Sequence, residues 1–206
     1  TKAIVPTMQH FLLRKDSIIA TNGHVGIVYY PAVELPNVTV PAELFTKIVG
    51  SFPDDAAWTL SAKDGSATLT VGKYRGDFPS YSVADFPTVT VPKKPLPLTE
   101  DVYESLRKLA FCMSTDETRP NMRGVYFDGA GWGHATDNRR IAWRAKKLEA
   151  FKTLLIPAYL LERVLGWGEA PRSYAMDAEG KFWLFFSDKA VFSVLPAGAF
   201  PETAKV

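Results

Sequence analysis

Short runs of apolar residues, many of them alternating with polar ones, recur along the chain and predict antiparallel strands joined by tight turns. In the first 90 residues the pattern predicts strands at 11–14, 17–20, 25–29, 58–62 and 67–71. In the remainder it predicts strands at 124–127, 132–135, 141–144, 172–176, 182–186 and 191–195. The pair Asn22-Gly23 is a strong hairpin signal, because both residues tolerate the left-handed backbone of tight turns.

Three other segments carry the apolar spacing of helices. Thr99 is a favourable N-cap for a helix over 100–111, whose apolar face would be Val102, Leu106, Leu109 and Met113. Two shorter helices are predicted after Pro41 and Pro157, since proline is well tolerated in the first turn of a helix. Their expected sheet-facing stripes are Leu44, Phe45, Ile48 and Val49 in the first, and Leu160, Leu161, Val164 and Leu165 in the second.

The same landmarks occur twice in the same order, at an offset of roughly 115 residues, far above the period of about 20–50 residues in repeat arrays. The repeated landmarks are Ala20-Thr21-Asn22 with Ala135-Thr136-Asp137, Val40-Pro41-Ala42 with Ile156-Pro157-Ala158, and Phe86-Pro87 with Phe200-Pro201. A proline-rich connector at 92–97 favours an extended joint. The sequence therefore predicts two copies of one domain, residues 1–91 and 92–206. By the offset, the first copy's counterpart of the helix at 100–111 would precede residue 1.

Composition restricts the class of protein. The chain has 206 residues, of which 47% are hydrophobic and 22% charged, which is typical of a folded globular protein rather than a disordered one. The net charge of +2 gives no general basic signature, so any contact with nucleic acid must use local positive residues. One cysteine, Cys112, allows no intrachain disulfide and favours a reducing, cytoplasmic setting. No apolar run predicts a transmembrane helix, and the first residues do not resemble a signal peptide.

Signals for catalysis are weak. Cys112, His134 and Asp137 are the types of residue that form a nucleophile, base and orienting group, so a small enzyme using Cys112 is one alternative. Because Cys112 lies at the end of an apolar helix face, a buried structural thiol is the favoured interpretation. The three histidines lack metal-ligand spacing, and the glycines at 129–133 predict a hairpin turn rather than a phosphate-binding loop. We expect no enzymatic activity, no metal and no cofactor.

Six motifs together resemble the bacterial DNA polymerase III β sliding clamp family. They are Ala20–Gly26, Val40–Leu44, Ser80–Pro87, Ser114–Arg119, Asn121–Val125 and Ala135–Ala142. Each motif is short, and the resemblance depends on their order and spacing over nearly the whole chain. It implies an α+β fold of two tandem clamp domains, with antiparallel sheets outside and short helices on the concave face.

The resemblance also implies a function. Clamps of this family are rings of six domains, built from two chains of three domains each. A two-domain chain would complete such a ring as a homotrimer, whereas a chain lacking a third domain would belong to a dimer. The expected function is that of a processivity factor that encircles double-stranded DNA without sequence specificity and docks a DNA polymerase and a clamp loader. The alternative is a clamp-like interaction module that binds replication proteins without encircling DNA.

Two groups of candidate residues follow. Positive residues expected near DNA phosphates are Lys47, Arg107, Lys108, Arg119, Arg123 and Arg163. The alternative is that they are ordinary solvated charges, which is favoured for all but Arg119, the residue that the family motif matches, and Glu104 with Lys108 would form an i,i+4 pair. The resemblance places a partner-peptide pocket at Met122, Thr136, Asn138, Arg139, Arg140, Ile141 and Pro201, with Lys205 and Val206 as further candidates. Asn138-Arg139 replaces the family's Gly-His, and Asn138 is also explained by a left-handed turn. In the family, residues of the third domain complete this pocket.

Overall fold

The fold is α+β, with antiparallel sheets and three short α-helices among the described residues, as the sequence predicts. A computed structural model describes residues 5–63, 65–144, 151 and 153–201. Lys205 and Val206 lie outside these residues. The chain divides into two compact units, residues 1–90 with 188–191 and residues 91–187 with 192–206. The boundary at residues 91 and 92 stays a prediction. No helix in the described ranges has the length and apolar character needed to cross a bilayer.

The first unit contains two antiparallel sheets and one α-helix. Its elements are β1 (His10–Arg14), β2 (Ser17–Thr21), β3 (Val25–Tyr29), β4 (Val38–Pro41), α1 (Ala42–Val49), β5 (Trp58–Lys63), β6 (Ser66–Val71) and β7 (Tyr74–Pro79). Strands β4-β1-β2-β3 lie side by side in that order, and β5-β6-β7 form a second sheet. Its core packs Leu13, Val40, Leu69 and Phe78 together.

The second unit repeats this plan and adds a longer helix before it. Its elements are β8 (Leu96–Pro97), α2 (Glu100–Leu109), β9 (Gly124–Phe127), β10 (Gly133–Thr136), β11 (Ile141–Trp143), β12 (Leu154–Pro157), α3 (Ala158–Gly166), β13 (Ser173–Met176) and β14 (Lys181–Phe185). The last strand among the described residues is β15 (Lys189–Val194). Strands β12-β9-β10-β11 lie in the same order as β4-β1-β2-β3, and a Pro-Ala helix follows the matching strand in each unit. The predicted duplication of one fold is therefore confirmed.

Every strand predicted from the sequence is present, with ends shifted by at most two residues, but four others were not predicted. Two of them, β4 and β12, contain the apolar residues that precede the Pro-Ala helices. The third, β7, has a sequence rich in charge and broken by Gly76 and Pro79, so its alternation is weak. The fourth, β8, is only two residues long.

The helix expected at 100–111 ends earlier and is capped differently. Regular α-helix stops at Leu109, and a 3-10 turn continues to Cys112. Thr99 takes the predicted N-cap position with extended backbone, but its side chain makes no capping hydrogen bond. Its carbonyl instead accepts the Val102 amide at 3.0 Å. The apolar face is confirmed at Val102, Leu106 and Leu109, which are fully buried.

The apolar stripe of α1 is only half used. Phe45 and Ile48 pack against the core, but Leu44 and Val49 are 44% and 41% exposed, so the stripe was predicted too wide. At 3.6 residues per turn, Leu44 and Val49 lie on opposite flanks of an arc of about 140°, and the sheet covers only its centre. No residue of α1 is fully buried. The equivalent helix α3 buries Ala158, Leu160, Leu161 and Val164.

Replacing Gly124 should destabilise the second unit. A Cβ atom at this position would collide with the backbone carbonyl of Ile156 on the paired strand β12. Since backbone cannot swing aside, Gly124→Ala should lower the free energy of unfolding by about 1–3 kcal/mol, as overpacking typically does. The matched control is Gly166→Ala, where no atom lies within 4 Å and alanine favours the helix. Urea denaturation followed by circular dichroism measures the unfolding midpoints of the wild type and of both variants. A midpoint of Gly124→Ala equal to that of the wild type would contradict the close approach of β9 and β12.

Candidate functional site

The turn between β10 and β11 carries most of the predicted peptide-binding residues. Asp137 Oδ1 accepts hydrogen bonds from the amides of Arg139 at 3.0 Å and Arg140 at 2.8 Å. Thr136 Oγ1 donates to the Arg140 carbonyl at 2.7 Å and accepts from the Asn138 amide at 3.1 Å. Asn138 has a φ of 72°, in the left-handed region that asparagine tolerates. Side-chain oxygens therefore close this turn and fix the direction of the residues that follow.

The first unit contains the same turn with the same set of hydrogen bonds. Thr21 Oγ1 donates to the Val25 carbonyl at 3.0 Å and accepts from the Gly23 amide at 3.1 Å. Asn22 Oδ1 accepts from the amides of His24 and Val25, as Asp137 does from Arg139 and Arg140. Gly23, with a φ of 87°, takes the place of Asn138. The conformation of Asn138 is thus explained by the turn itself, whatever its role in binding.

Arg140 is held over an exposed aromatic ring. Its guanidinium contacts Asp137 Oδ2 at 2.9 Å, donates to the Phe111 carbonyl at 3.4 Å and lies 5.9 Å from the centre of the Phe111 ring. The Phe111 residue is 65% exposed, although phenylalanine usually contributes large buried area. Sequence reasoning did not select it. The available signal was its position off the apolar face formed by Val102, Leu106 and Leu109.

The other two predicted pocket residues are Met122 and Pro201, and the segments that carry them contact each other through neighbouring residues. Met122 is buried, and its carbonyl accepts the Ser114 amide at 3.1 Å. The next residue back, Asn121, donates from Nδ2 to the carbonyl of Ala199 at 2.8 Å, and Tyr126 stacks on Phe200 with ring centres 4.6 Å apart. These contacts hold the residues that lead to Pro201 against the loop that carries Met122.

The structure divides the predicted pocket residues by accessibility. Met122 and Thr136 are buried, so they support the surface from below, and Ile141 is half-buried. The exposed members are Asn138, Arg139, Arg140 and Pro201. Phe111 and Trp143, which is 61% exposed, add aromatic surface that sequence reasoning did not assign.

Three of the six candidate DNA contacts are already paired with acidic neighbours. Arg107 contacts Glu104 at 2.9 Å, Arg119 contacts Asp116 at 3.4 Å and Arg123 contacts Glu117 at 3.4 Å. The hydrogen bond from Arg107 lowers the pKa of the Glu104 carboxyl. The expected i,i+4 pair of Glu104 with Lys108 is therefore wrong as the principal contact, because Arg107 one residue earlier reaches Glu104 directly. Exposed pairs of this kind contribute little to stability.

The remaining three candidates are exposed and make no ion pair with any residue in the described ranges. They are Lys47 on α1, Lys108 on α2 and Arg163 on α3. Helices α2 and α3 both pack on the sheet of the second unit, α2 against β10 and α3 against β9 and β12. Exposed cations on short helices that make no ion pair with a described residue suit contact with phosphates without base readout.

The alternative based on Cys112 lacks the geometry of a nucleophilic site. Cys112 is 1% exposed, and burial raises the pKa of its thiol, which opposes thiolate formation. The Asp137 carboxylate is occupied by two amides and Arg140, and His134 Nε2 lies 3.6 Å from Asp128. Within the described part of the chain, no group of three His, Cys, Asp or Glu residues is placed to hold a metal ion.

Comparison with solved structures identifies the class of fold to which this architecture belongs. No family model matches the sequence. The structure of Caulobacter crescentus pol III beta superposes with a TM-score of 0.82 at 22% identity, covering 100% of this chain and 62% of that one. The Helicobacter pylori beta clamp bound to a DNA ligase peptide gives a TM-score of 0.80 at 16% identity, covering 97% of this chain and 61% of that one. The duplicated fold is thus that of the DNA-clamp class.

Sequence similarity identifies the family within that class. A beta sliding clamp of Synechococcus elongatus is 34% identical over 153 residues, covering 66% of this chain and 40% of that protein. The chain belongs to the β sliding clamp family of bacterial DNA polymerase III. It spans about 40% of the length of this curated relative.

The carboxylate of Asp137 should give the second unit a distinct pH dependence. Amide hydrogen bonds from Arg139 and Arg140, together with the Arg140 side chain, lower the pKa of Asp137 from 3.8 to about 2. A lowered pKa means that the charged carboxylate stabilises the folded state above about pH 4, and that this contribution is lost as the pH falls towards 2. Asp137→Asn should remove it, while Asn22 shows that a neutral amide still closes the turn.

The measurement is the urea midpoint of both proteins at pH 5 and pH 2.5. The wild type should lose more stability than Asp137→Asn over this interval. Asp55→Asn, at an exposed position after α1, serves as the matched control and should behave as the wild type does. An identical loss in wild type and Asp137→Asn would show that the turn does not depend on the charge.

Proposed function

We propose that this chain acts as a DNA sliding clamp, a non-enzymatic processivity factor that encircles double-stranded DNA without sequence specificity. The observation that carries the proposal is the duplicated clamp fold, with one strand order in both units and sequence similarity to β sliding clamps. A ring holds DNA by topology, so it needs only weak contacts that permit sliding. A net charge of +2 with local cations fits this requirement.

Ring closure requires further domains, and the surface of α1 supports assembly with another copy. Leu44 and Val49 on α1 are exposed, and Trp58 at the start of β5 is 42% exposed. Val49 and Trp58 line the same shallow pocket, and large exposed apolar residues that cluster in this way are typical of a protein interface. Three two-domain chains would supply six domains, as would two chains that each carry a third domain, so we propose a homo-oligomeric ring of one of these two kinds.

The candidate DNA contacts remain the six positive residues predicted from the sequence. Lys47, Lys108 and Arg163 are the strongest of them, because they are exposed without an ion-pair partner among the described residues. Arg107, Arg119 and Arg123 carry acidic partners that weaken their attraction to phosphate. Such balanced charge favours a low-affinity, mobile contact.

The turn after β10 is the proposed docking surface for peptides of a DNA polymerase and a clamp loader. The Helicobacter pylori relative binds a DNA ligase peptide, which supports peptide docking as a property of this fold family. Here Met122 and Thr136 would form the buried base, with Asn138, Arg139, Arg140, Ile141 and Pro201 at the surface. The exposed Phe111 ring beside Arg140 adds an apolar contact typical of binding sites.

The alternative function is a clamp-like module that binds replication proteins without encircling DNA. Native mass separates the two. A mass near three times 22.8 kDa, or a ring formed with additional domains in the full-length protein, supports encirclement. A strict monomer in the full-length protein contradicts it.

Reversing the unpaired cations should weaken retention on DNA. Lys47→Glu, Lys108→Glu and Arg163→Glu combined should shorten the lifetime of the clamp loaded on nicked circular DNA by about tenfold, since each cation contributes to counterion release. The readout is the fraction retained on circular and on linear DNA at increasing salt concentration. Lys15→Glu and Lys73→Glu in turns of the first unit, together with Lys63→Glu at the end of β5, provide a control of equal charge change. Unchanged retention by the first variant would show that the assigned contacts are wrong.

A second substitution tests the peptide surface. Ile141→Asp places a charge where an apolar contact is proposed, and truncation or charging of a central contact typically weakens binding by tenfold or more. The measurement is fluorescence anisotropy with labelled peptides that tile the replicative polymerase of the source organism. Val33→Asp, at a residue 50% exposed in the first unit, is the control. Equal affinity of Ile141→Asp and wild type for every binding peptide would exclude this surface.

A further inference from the structure

A second cleft lies in the second unit and shares no residue with the proposed peptide surface. Its volume is about 710 Å³, within the range of about 300–1,000 Å³ typical of binding sites. Apolar side chains line it, namely Leu96, Phe151, Leu154, Tyr174, Met176 and Phe182. Its other wall is the connector residues Pro92, Lys93 and Lys94. The cleft therefore separates the connector from strand β13.

The floor of the cleft is a fixed aromatic cluster. Phe151 makes edge contacts with Tyr174 and Phe182, at ring-centre distances of 4.8 Å and 5.8 Å. Phe182 is fully buried and Phe151 is 7% exposed, so neither ring can rotate into the open space without losing its packing. An apolar group that enters would meet a surface already formed.

One side of the cleft is an unfinished strand edge. Strand β8 pairs with β13 only at Pro97 with Ser173 and at Leu96 with Tyr174. Continuing the ladder would bring Lys94 opposite Met176, but the intervening Pro95 has no amide hydrogen, and the connector diverges from the strand instead. Residues two apart on a strand present their backbone groups to the same side. The backbone of Met176 therefore faces the cleft with no strand beside it among the described residues.

The charged side chains among the described residues that line the cleft have one sign. Lys93 and Lys94 are exposed and make no ion pair with any described residue. No Asp or Glu is present among the described residues that line the cleft. Leu96 and Met176, at 56% and 47% exposure, extend its apolar surface outward along the strand. An elongated apolar surface beside an open edge and two cations complements an extended peptide with apolar and acidic residues.

We propose that this cleft binds an extended acidic and apolar peptide segment of a partner protein, which adds a strand to the open edge of β13. Apolar side chains on one side of the added strand enter the aromatic cleft. Acidic side chains on its other side meet Lys93 and Lys94. Main-chain hydrogen bonds to Met176 supply affinity, and the alternate side chains supply selectivity. The inference goes beyond the proposed clamp function and does not require ring closure.

The probe is a capped hexapeptide of alternating phenylalanine and glutamate, titrated against the full chain. We expect saturable binding, weakened by salt, together with slower hydrogen exchange at the Met176 amide. Lys93→Glu with Lys94→Glu should weaken binding by about tenfold, equivalent to the loss of both charge contacts. Lys63→Glu at the end of β5 with Lys73→Glu in the turn after β6 is a control of equal charge change and should leave affinity unchanged. Circular dichroism confirms that each variant is folded. Hydrogen exchange at the Met176 amide is measured on the wild-type protein, so that result stands even if a variant fails to fold.

Four outcomes would overturn the proposal. The first is equal binding by the same peptide N-methylated at alternate amides, because that peptide cannot pair with a strand. The second is equal binding by a peptide of phenylalanine and lysine. The third is loss of binding in Ile141→Asp, which would place the peptide on the turn after β10. The fourth is binding of decanoate without any binding of the peptide, which would indicate a small-molecule cavity.

Discussion

The closure of one turn by side-chain oxygens determines the geometry on which the proposed peptide surface depends. The hydroxyl of Thr136 and the carboxylate of Asp137 satisfy three backbone amides and one carbonyl between β10 and β11. Because these bonds fix the backbone, Arg140 and Ile141 leave the turn in a set direction, and Arg140 reaches Phe111. In the first unit Thr21 and Asn22 make the same bonds, which shows that the device belongs to the fold rather than to one surface.

The sequence predicts those features that local chemistry determines. The hairpin at Asn22-Gly23 and the helix start at Glu100 follow from short-range signals, and the duplication follows from short motifs that recur in the same order; the structure contains all three. The sequence did not predict exposure or pairing where these depend on how other elements pack around a residue. The exposure of Leu44 and Val49 depends on how much of α1 the sheet covers. The pairing of Arg107 with Glu104 depends on rotamers that spacing alone leaves open, since i,i+3 and i,i+4 partners compete.

The pairing of positive residues with acidic neighbours limits how strongly each could attract a phosphate. Arg107, Arg119 and Arg123 each have an acidic residue within reach, and all three pairs are partly or fully solvent-exposed, so water and salt screen them. An approaching phosphate competes with a carboxylate for each guanidinium, which reduces the gain from each contact. Under the proposed function, cations without such partners, such as Lys108, would contribute more per residue. A protein that must hold DNA and still move along it would gain from a few contacts by unpaired cations among many by cations that are paired with a carboxylate.

The two units show how one fold acquires different surfaces. Strand order and turn chemistry are the same in both, yet α3 buries four side chains where α1 buries none. Leu160, which α3 buries, has an exposed counterpart on α1, Leu44, and exposure of such apolar residues is typical of a surface that another protein covers. The second unit instead exposes aromatic residues beside its turn, at Phe111 and Trp143. Duplication followed by divergence of these surfaces would let the first unit serve assembly while the second serves recognition of partners.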